Sequence, residues 1–193
     1  MKESHNIRYI DRPDATDFPD EDVANLVEEL IWSEIKDTSH QTRDAAASVL
    51  KDISSGPAEH MCKIRDQGNT ITAKDGEKTV GVIGFQELHR TPNGQRIFEI
   101  RRTTVLHDYR GGGIGRVLRE SMIKRLKEID PDAILVSRIR VDNTVNQNLA
   151  TSTSFTKISD DEVRKLGFLE RDIQGNKSNG YEFYILNLRN EKK

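Results

Sequence analysis

Cysteine is almost missing from this chain. Cys62 is the single one among 193 residues, so no internal disulfide can form and no cysteine-rich metal site exists. Long apolar runs are missing too, since no stretch approaches the length needed to span a membrane. The opening Met1-Lys2-Glu3-Ser4-His5 has no apolar signal region, so a cytoplasmic protein with no membrane partner is expected. Nor is there an excess of either charge. Thirty basic side chains stand against 32 acidic ones, a net charge of −2, which leaves no electrostatic footprint for nucleic acid. What the chain has in quantity is mixed charge, at 32% of residues against 34% apolar ones. The apolar positions are nonetheless periodic, which argues against disorder. The length suits one domain over residues 1–193, with no internal repeat or interdomain linker and a charged tail at 189–193 expected to fray.

The stretch Tyr109-Arg110-Gly111-Gly112-Gly113-Ile114-Gly115-Arg116 organises the rest. It lies between a strand-like run, Ile97 to Leu106, and an amphipathic helix. That helix has Ile114, Val117, Leu118, Met122, Leu126 and Ile129 at steps of three and four, and it stops at Asp130-Pro131. Glycines let a backbone approach a ligand closely, and a helix start presents unpaired N–H groups with partial positive charge. With Arg110 and Arg116 on either side, the stretch reads as an anion cradle, best suited to phosphates; a plain glycine turn is the alternative. A Walker loop is excluded because the Gly-Lys-Ser/Thr ending is missing. A dinucleotide fingerprint fits poorly, because Gly113-Ile114-Gly115-Arg116-Val117-Leu118 lacks the last glycine and no acid closes a strand further on.

Taken in order, Ile7 to Ile10 reads as a strand and the acidic, proline-containing segment Asp11 to Asp22 as a loop. Asp20 can cap a helix with Val23, Leu26, Val27, Leu30 and Ile31 inward, extended by Trp32 and Ile35. A second helix is expected from Thr42, with Ala45, Ala46, Val49, Leu50 and Ile53 inward, and a third short one after Pro57 with Met61 and Ile64. Asp75-Gly76 joins the strands Thr70 to Lys74 and Thr79 to Leu88, and Pro92-Asn93-Gly94 leads into Ile97 to Leu106. After the loop helix come a strand from Ala133 to Val141 and a polar Thr/Ser/Asn-rich stretch, Asn143 to Ile158. Ser159 to Glu162 is a capping box opening a short helix that Gly167 ends. Phe168 to Ile173 and Tyr181 to Leu188 read as a final hairpin-like pair.

Val105-Leu106-His107-Asp108-Tyr109-Arg110-Gly111-Gly112-Gly113-Ile114-Gly115 resembles the acetyl-CoA-binding signature of the GNAT superfamily of N-acetyltransferases, Gln/Arg-x-x-Gly-x-Gly/Ala after a strand. The element order agrees over nearly the whole chain, and Leu166-Gly167-Phe168 matches a Leu-Gly-Phe usual in that family. The resemblance implies an α/β fold (α+β in some schemes): a mixed central sheet of about seven strands flanked by helices. It also implies acetyl-CoA as cosubstrate and no metal. The backbone of Arg110, Gly111, Gly112, Gly113, Ile114 and Gly115 would hold the pyrophosphate, Val105 would pair with the pantetheine arm, and Arg110 and Arg116 would add charge. Arg116 is equally readable as a solvent-exposed helix arginine. Asn143 matches an asparagine that often contacts the cofactor after the fifth strand, with Asn146 as a nearby competitor.

For acetyl transfer to an amine, Glu99 is the candidate base, because it lies six positions before Val105, the offset of a catalytic glutamate in histone-acetyltransferase members. Apolar neighbours such as Ile97 and Ile100 could raise its pKa; pairing with Arg101 is the competing reading. The family's acid, a tyrosine near the end of the penultimate helix, falls on Val163 when counted back from Gly167-Phe168, so this chain departs from the pattern. Tyr181 and Tyr184 are weak substitutes. The interval from Asn143 to Gly167 is longer than usual and either shapes the acceptor pocket or is a surface insertion. Arg138 and Arg140 share a strand face, where pairing with nearby acids is favoured over binding an acceptor's carboxylate or the CoA 3′-phosphate. The acidic Asp11–Asp22 loop could attract a cationic amine, although a solvated loop is favoured. His107 reads as a turn residue and Cys62 as a small core residue. The function expected is N-acetylation of a small-molecule, peptide or protein amine by direct attack, with a homodimer admitted by the resemblance. The alternative is a non-catalytic acyl-CoA-binding or sensor module.

Overall fold

The structure, a computed structural model, describes residues 6–34 and 56–190. The helix expected from Thr42, with Ala45 to Ile53, lies outside the described residues, as do Ile35 and the side chain of Trp32. Among the described residues seven strands form one mixed sheet in the order β1-β2-β3-β4-β5-β7-β6, flanked by helices. The strands are β1 (Ile7–Asp11), β2 (Thr70–Asp75), β3 (Lys78–Arg90), β4 (Arg96–Val105), β5 (Ile134–Arg140), β6 (Thr156–Lys157) and β7 (Tyr181–Asn187). The helices are α1 (Asp20–Glu34), α2 (56–66), α3 (Ile114–Ile129), α4 (Thr144–Ser152), α5 (Asp160–Lys165) and α6 (Glu170–Ser178). The chain divides into two compact units, Met1–Gly84 with Arg102–Arg119, and Phe85–Arg101 with Glu120–Lys193.

In the first unit β1, β2 and β3 pair antiparallel, and Gly76 turns the β2–β3 hairpin at φ +59°. Phe18, Val23, Leu26 and Val27 from the α1 region bury against Met61 of α2 and Val82 of β3, with Ala58, Cys62 and Leu106 at the edge. This is the stripe read from the sequence. Asp20 does not cap α1, however. Val23 donates its first helical hydrogen bond to the Pro19 carbonyl, and the Asp20 carboxylate turns instead to Arg65 of α2, 2.7 Å away. Arg65 is itself buried and also donates to the Phe18 carbonyl at 2.7 Å, so it joins α2 to the start of α1.

In the second unit β4 runs parallel to β5, and β5 pairs antiparallel with β7 along its whole length. Its core is Ile97, Ile134, Val136, Val163, Ile173 and Phe183, with Leu88, Ile158, Leu166 and Phe168 packed around it. The hairpin expected from Phe168 to Ile173 is not formed. Glu170–Ser178 is a helix, because Glu170 and Asp172 in its first turn and Lys177 in its last complement the helix dipole, and Ile173 alone needs to face the core. The strand β7 takes β5 and β6 as neighbours instead. The polar stretch from Asn143 is likewise no open loop: Asn143 Oδ1 accepts from Asn146 N–H at 3.0 Å and caps α4. The capping box at Ser159 and Glu162 forms as expected.

The inward face of α3 also differs from the apolar stripe. Ile114, Leu118, Met122 and Leu126 are buried, but Val117 and Ile129 are each 38% exposed. Arg119 and Arg125 take the inward positions, with Arg125 over the Phe85 ring at 5.3 Å and Arg119 only 1% exposed. Burial holds the Arg119 guanidinium down at about 10.

Candidate active site

The chain leaves β4 at Val105 and passes through a single 3₁₀ turn, His107–Tyr109, that the sequence did not announce. Tyr109 fixes this turn: its hydroxyl donates to Asp75 at 3.1 Å, and the Lys78 ammonium lies 5.5 Å from its ring centre. His107 is exposed, as expected of a turn residue. The glycine loop follows, with Gly111 at φ +79° and Gly113 at φ +82°. A Cβ at Gly113 would meet no heavy atom within 4 Å, so its glycine is required by backbone conformation and the space beside it is open.

Hydrogen bonding within α3 starts only at Arg116 and Val117, which both donate to the Gly113 carbonyl. Among the described residues, no backbone acceptor takes the N–H groups of Gly111 to Gly115. Five consecutive amides at the positive end of a 16-residue helix make a cradle that suits the pyrophosphate of an acyl-CoA. Arg110 does not point into it. Its Nε donates to the Val105 carbonyl at 2.9 Å and its Nη2 to Glu29 of α1 at 2.7 Å, so it holds the loop in place. Arg116 is exposed in the first turn of α3. Gly81 of β3 supports that turn from below, where a Cβ would stand 3.3 Å from Ile114 and 3.2 Å from Leu118.

Glu99 belongs to the second unit, on β4, opposite Val136 of β5. It is only 2% exposed. The expected apolar neighbours are present in the strand, but the carboxylate is not left to them: Oε2 accepts from Arg101 Nε and Oε1 from Arg138 Nε. Arg138 also donates to Asn176 of α6 at 3.3 Å. Arg140 pairs with Asp142 at 3.0 Å, so both β5 arginines find acids, the outcome favoured from sequence. The parallel pairing of β4 with β5 ends at Glu99 and Val136, although β5 runs on to Arg140.

A depression of about 780 Å³ opens beside this cluster. Its charged lining is Arg90, Arg101, Arg138, Arg171 and Asp172, with His89 and Phe168 packed edge to face at its wall. Arg90, Arg171 and Asn176 were not singled out from the sequence. Arg90 ends β3 while Arg171 and Asn176 lie far along the chain on α6, and no spacing marks them.

Asn143 spends its Oδ1 on the α4 cap. Val163 lies wholly inside the core. Tyr184 is buried on β7, where burial pushes its phenol pKa up, which fits a packing role. Cys62 donates its Sγ–H to Asp20 at 3.5 Å, and burial pushes this thiol up as well, so it is no nucleophile. Asp14 and Asp20 of the acidic segment are spent internally, on the Thr16 and Asp17 amides and on Arg65.

The family model described as "Acetyltransferase (GNAT) family" matches residues 28–155, and the chain belongs to that family. It is accordingly an enzyme of the acyltransferase class. The match ends at Phe155, so Leu166-Gly167-Phe168 lies beyond it, and α6 follows α5, which is therefore not the last helix.

Solved structures share the fold at low identity. A protein of Pyrococcus horikoshii is 16% identical with a TM-score of 0.67, covering 94% of this chain and 98% of its own. The PaiA N-acetyltransferase of Thermoplasma acidophilum, solved in complex with coenzyme A, is 11% identical with a TM-score of 0.64, covering 94% and 99%. The yncA protein of Salmonella typhimurium, solved with acetyl-CoA, is 14% identical with a TM-score of 0.57, covering 98% and 97%. Among curated proteins none matches the sequence. Among the described residues no helix is long and apolar enough to cross a membrane.

Proposed function

We propose that this chain moves an acetyl group from acetyl-CoA to a primary amine by direct attack. The observation that carries the reading is the run of amides from Gly111 to Gly115, at the start of α3, that no backbone acceptor takes among the described residues. These amides hold the pyrophosphate, with the Arg116 charge in the same turn, and the Arg110 backbone leads into them while its side chain braces the loop. The backbone at Val105 meets the pantetheine arm, and Asn143, the cap of α4, is a further cofactor contact. Coenzyme A-bound relatives of the same fold support the choice of ligand.

Acetyl-CoA supplies the activated thioester. The amine nitrogen forms a bond to the acetyl carbon, the carbon–sulfur bond breaks, and sulfur leaves with the bonding pair as a thiolate, which the second proton shed by the nitrogen on becoming an amide converts to the thiol. The proton lost by the ammonium passes to Glu99 and then to solvent. Both Glu99 oxygens are held by guanidiniums, so this role requires Arg101 or Arg138 to release one of them when the acceptor arrives. The acceptor is a small-molecule amine or a peptide or protein amine.

Thermal unfolding with acetyl-CoA, beside NADH as control, tests the reading. Ligand at about a thousand times its dissociation constant stabilises the folded state by roughly 4 kcal/mol. A midpoint raised by acetyl-CoA and not by NADH is expected. No shift with acetyl-CoA would overturn the proposal.

A further inference from the structure

Resting on that reading, we infer that the arginine-lined pocket beside Glu99 holds a carboxylate of the acceptor, so that the amine acetylated is a small amino acid-like molecule. Four arginines line the depression against one lining acid, Asp172, and the buried Glu99, a surplus of two positive charges in a chain that is net negative overall. Arg138 is oriented rather than loose. Its Nε is fixed on Glu99 and its Nη1 on Asn176, and Nη2 has no protein partner among the described residues. A guanidinium held in this way presents Nη2 as a directed, charge-assisted donor to a carboxylate, and the Nε side joins it in a two-bond fork only once Glu99 is released. The pocket volume of about 780 Å³ has room for an amino acid or a dipeptide.

Two further observations point the same way. Most of the wall, from Gly167 to Asn179, lies beyond the family match that ends at Phe155, which is where specificity particular to this chain belongs. Of the acids in the Asp11–Asp22 segment that could have recruited a cationic amine, Asp14 is engaged with backbone amides and Asp20 with Arg65. An arriving carboxylate also supplies the alternative anion that Arg138 needs in order to release Glu99. Recognition of the acceptor and exposure of its base thus fall on one guanidinium.

The test compares acetylation of L-amino acids with that of their carboxamides, across a panel of side chains, in the wild type and in Arg171→Ala and Arg138→Lys. Arg171 is an exposed rim residue, so its removal leaves the fold intact, whereas Arg138 also serves Glu99. For the preferred side chain, kcat/KM for the acid is expected to exceed that for the amide by tenfold or more. Arg171→Ala should raise KM for the acid several-fold and leave the amide unchanged. Calorimetric titration of N-acetyl-L-amino acids and their carboxamides into the protein alone gives a readout independent of turnover, with binding expected for an acid and not for its amide. Acids and amides treated equally in either experiment, or preference for a polyamine such as spermidine, would overturn the inference while leaving acetyl transfer standing. Failure of acetyl-CoA to raise the unfolding midpoint would remove acetyl transfer itself, and this inference with it.

Discussion

Arg138 on β5 donates from Nε to Glu99 on the parallel neighbour β4, at the point where the pairing of the two strands ends. With Arg101 on the other oxygen, the carboxylate sits between two cations and is nearly excluded from water. Glu99→Gln removes the charge that both guanidiniums face and leaves one of them against an amide. A loss of about 1–3 kcal/mol in unfolding free energy is expected, with a fall in acetylation rate, a changed pH–rate profile and little change in acetyl-CoA affinity. Paired stopped-time kinetics and thermal melts check this. Full activity at every pH would take Glu99 out of the proton transfer.

The glycine loop makes the opposite prediction. Gly113→Ala places a side chain at φ +82°, a conformation that costs an L-residue about 1–2 kcal/mol, while Gly113→Arg also fills the open space beside the amides. The alanine variant should melt slightly earlier and bind acetyl-CoA more weakly, and the arginine variant should not bind it. Calorimetry with acetyl-CoA separates the two effects; unchanged affinity in Gly113→Arg would mean that the loop is only a turn.

The fold and this loop were legible because both are written locally. Glycine punctuation and a 3.6-residue period need only a dozen neighbouring positions to be seen, and the hairpin at Asp75-Gly76 and the capping box at Ser159 are of the same kind. What failed depended on partners distant in sequence. Arg119 and Arg125 face inward from α3 where apolar counting chose Val117 and Ile129, because a period of apolar residues does not reveal which charged side chains the fold buries whole. Asp20 reads as a cap until Arg65 is seen to claim it. Phe168 to Ile173 looks like a strand when the competing pairing of β7 with β5 and β6 is unknown. Glu99 was singled out by its offset from Val105, but its second arginine, 39 residues away, could not be.

Gly81 shows how tightly β3 sets the start of α3. An added Cβ would lie 3.2 Å from Leu118, 3.3 Å from Ile114 and 3.3 Å from the Thr104 carbonyl, each closer than ordinary contact. The carbonyl cannot give way as a side-chain methyl can, so the strain has to move α3 or β4. Gly81→Ala should cost about 1–3 kcal/mol by overpacking and weaken acetyl-CoA binding, because the displaced residue Ile114 is part of the amide cradle. Denaturant melts with and without acetyl-CoA would show both effects; a stable variant with normal affinity would mean that the packing relaxes elsewhere.

Arg164 at the end of α5 grips Glu170 at the start of α6 with two hydrogen bonds, 2.8 and 3.1 Å long, and Gln174 adds a third at 2.7 Å. The Arg164 hydrogen bond, then that of Gln174, hold the Glu170 carboxyl down at about 2, below its usual value near 4.5. Because the folded value is the lower one, the stabilisation is complete above about pH 4.5 and is lost as pH falls toward 2. Glu170→Gln should therefore melt below the wild type at pH 7, and the gap should close between these two values. The Arg164 contact is also what sets α6 against α5, and α6 carries the Asn176 that steadies Arg138. If the pocket depends on that brace, Glu170→Gln will raise KM for a carboxylate-bearing acceptor without touching acetyl-CoA affinity. A melting difference that does not vary with pH would mean that packing, not the ion pair, joins the two helices.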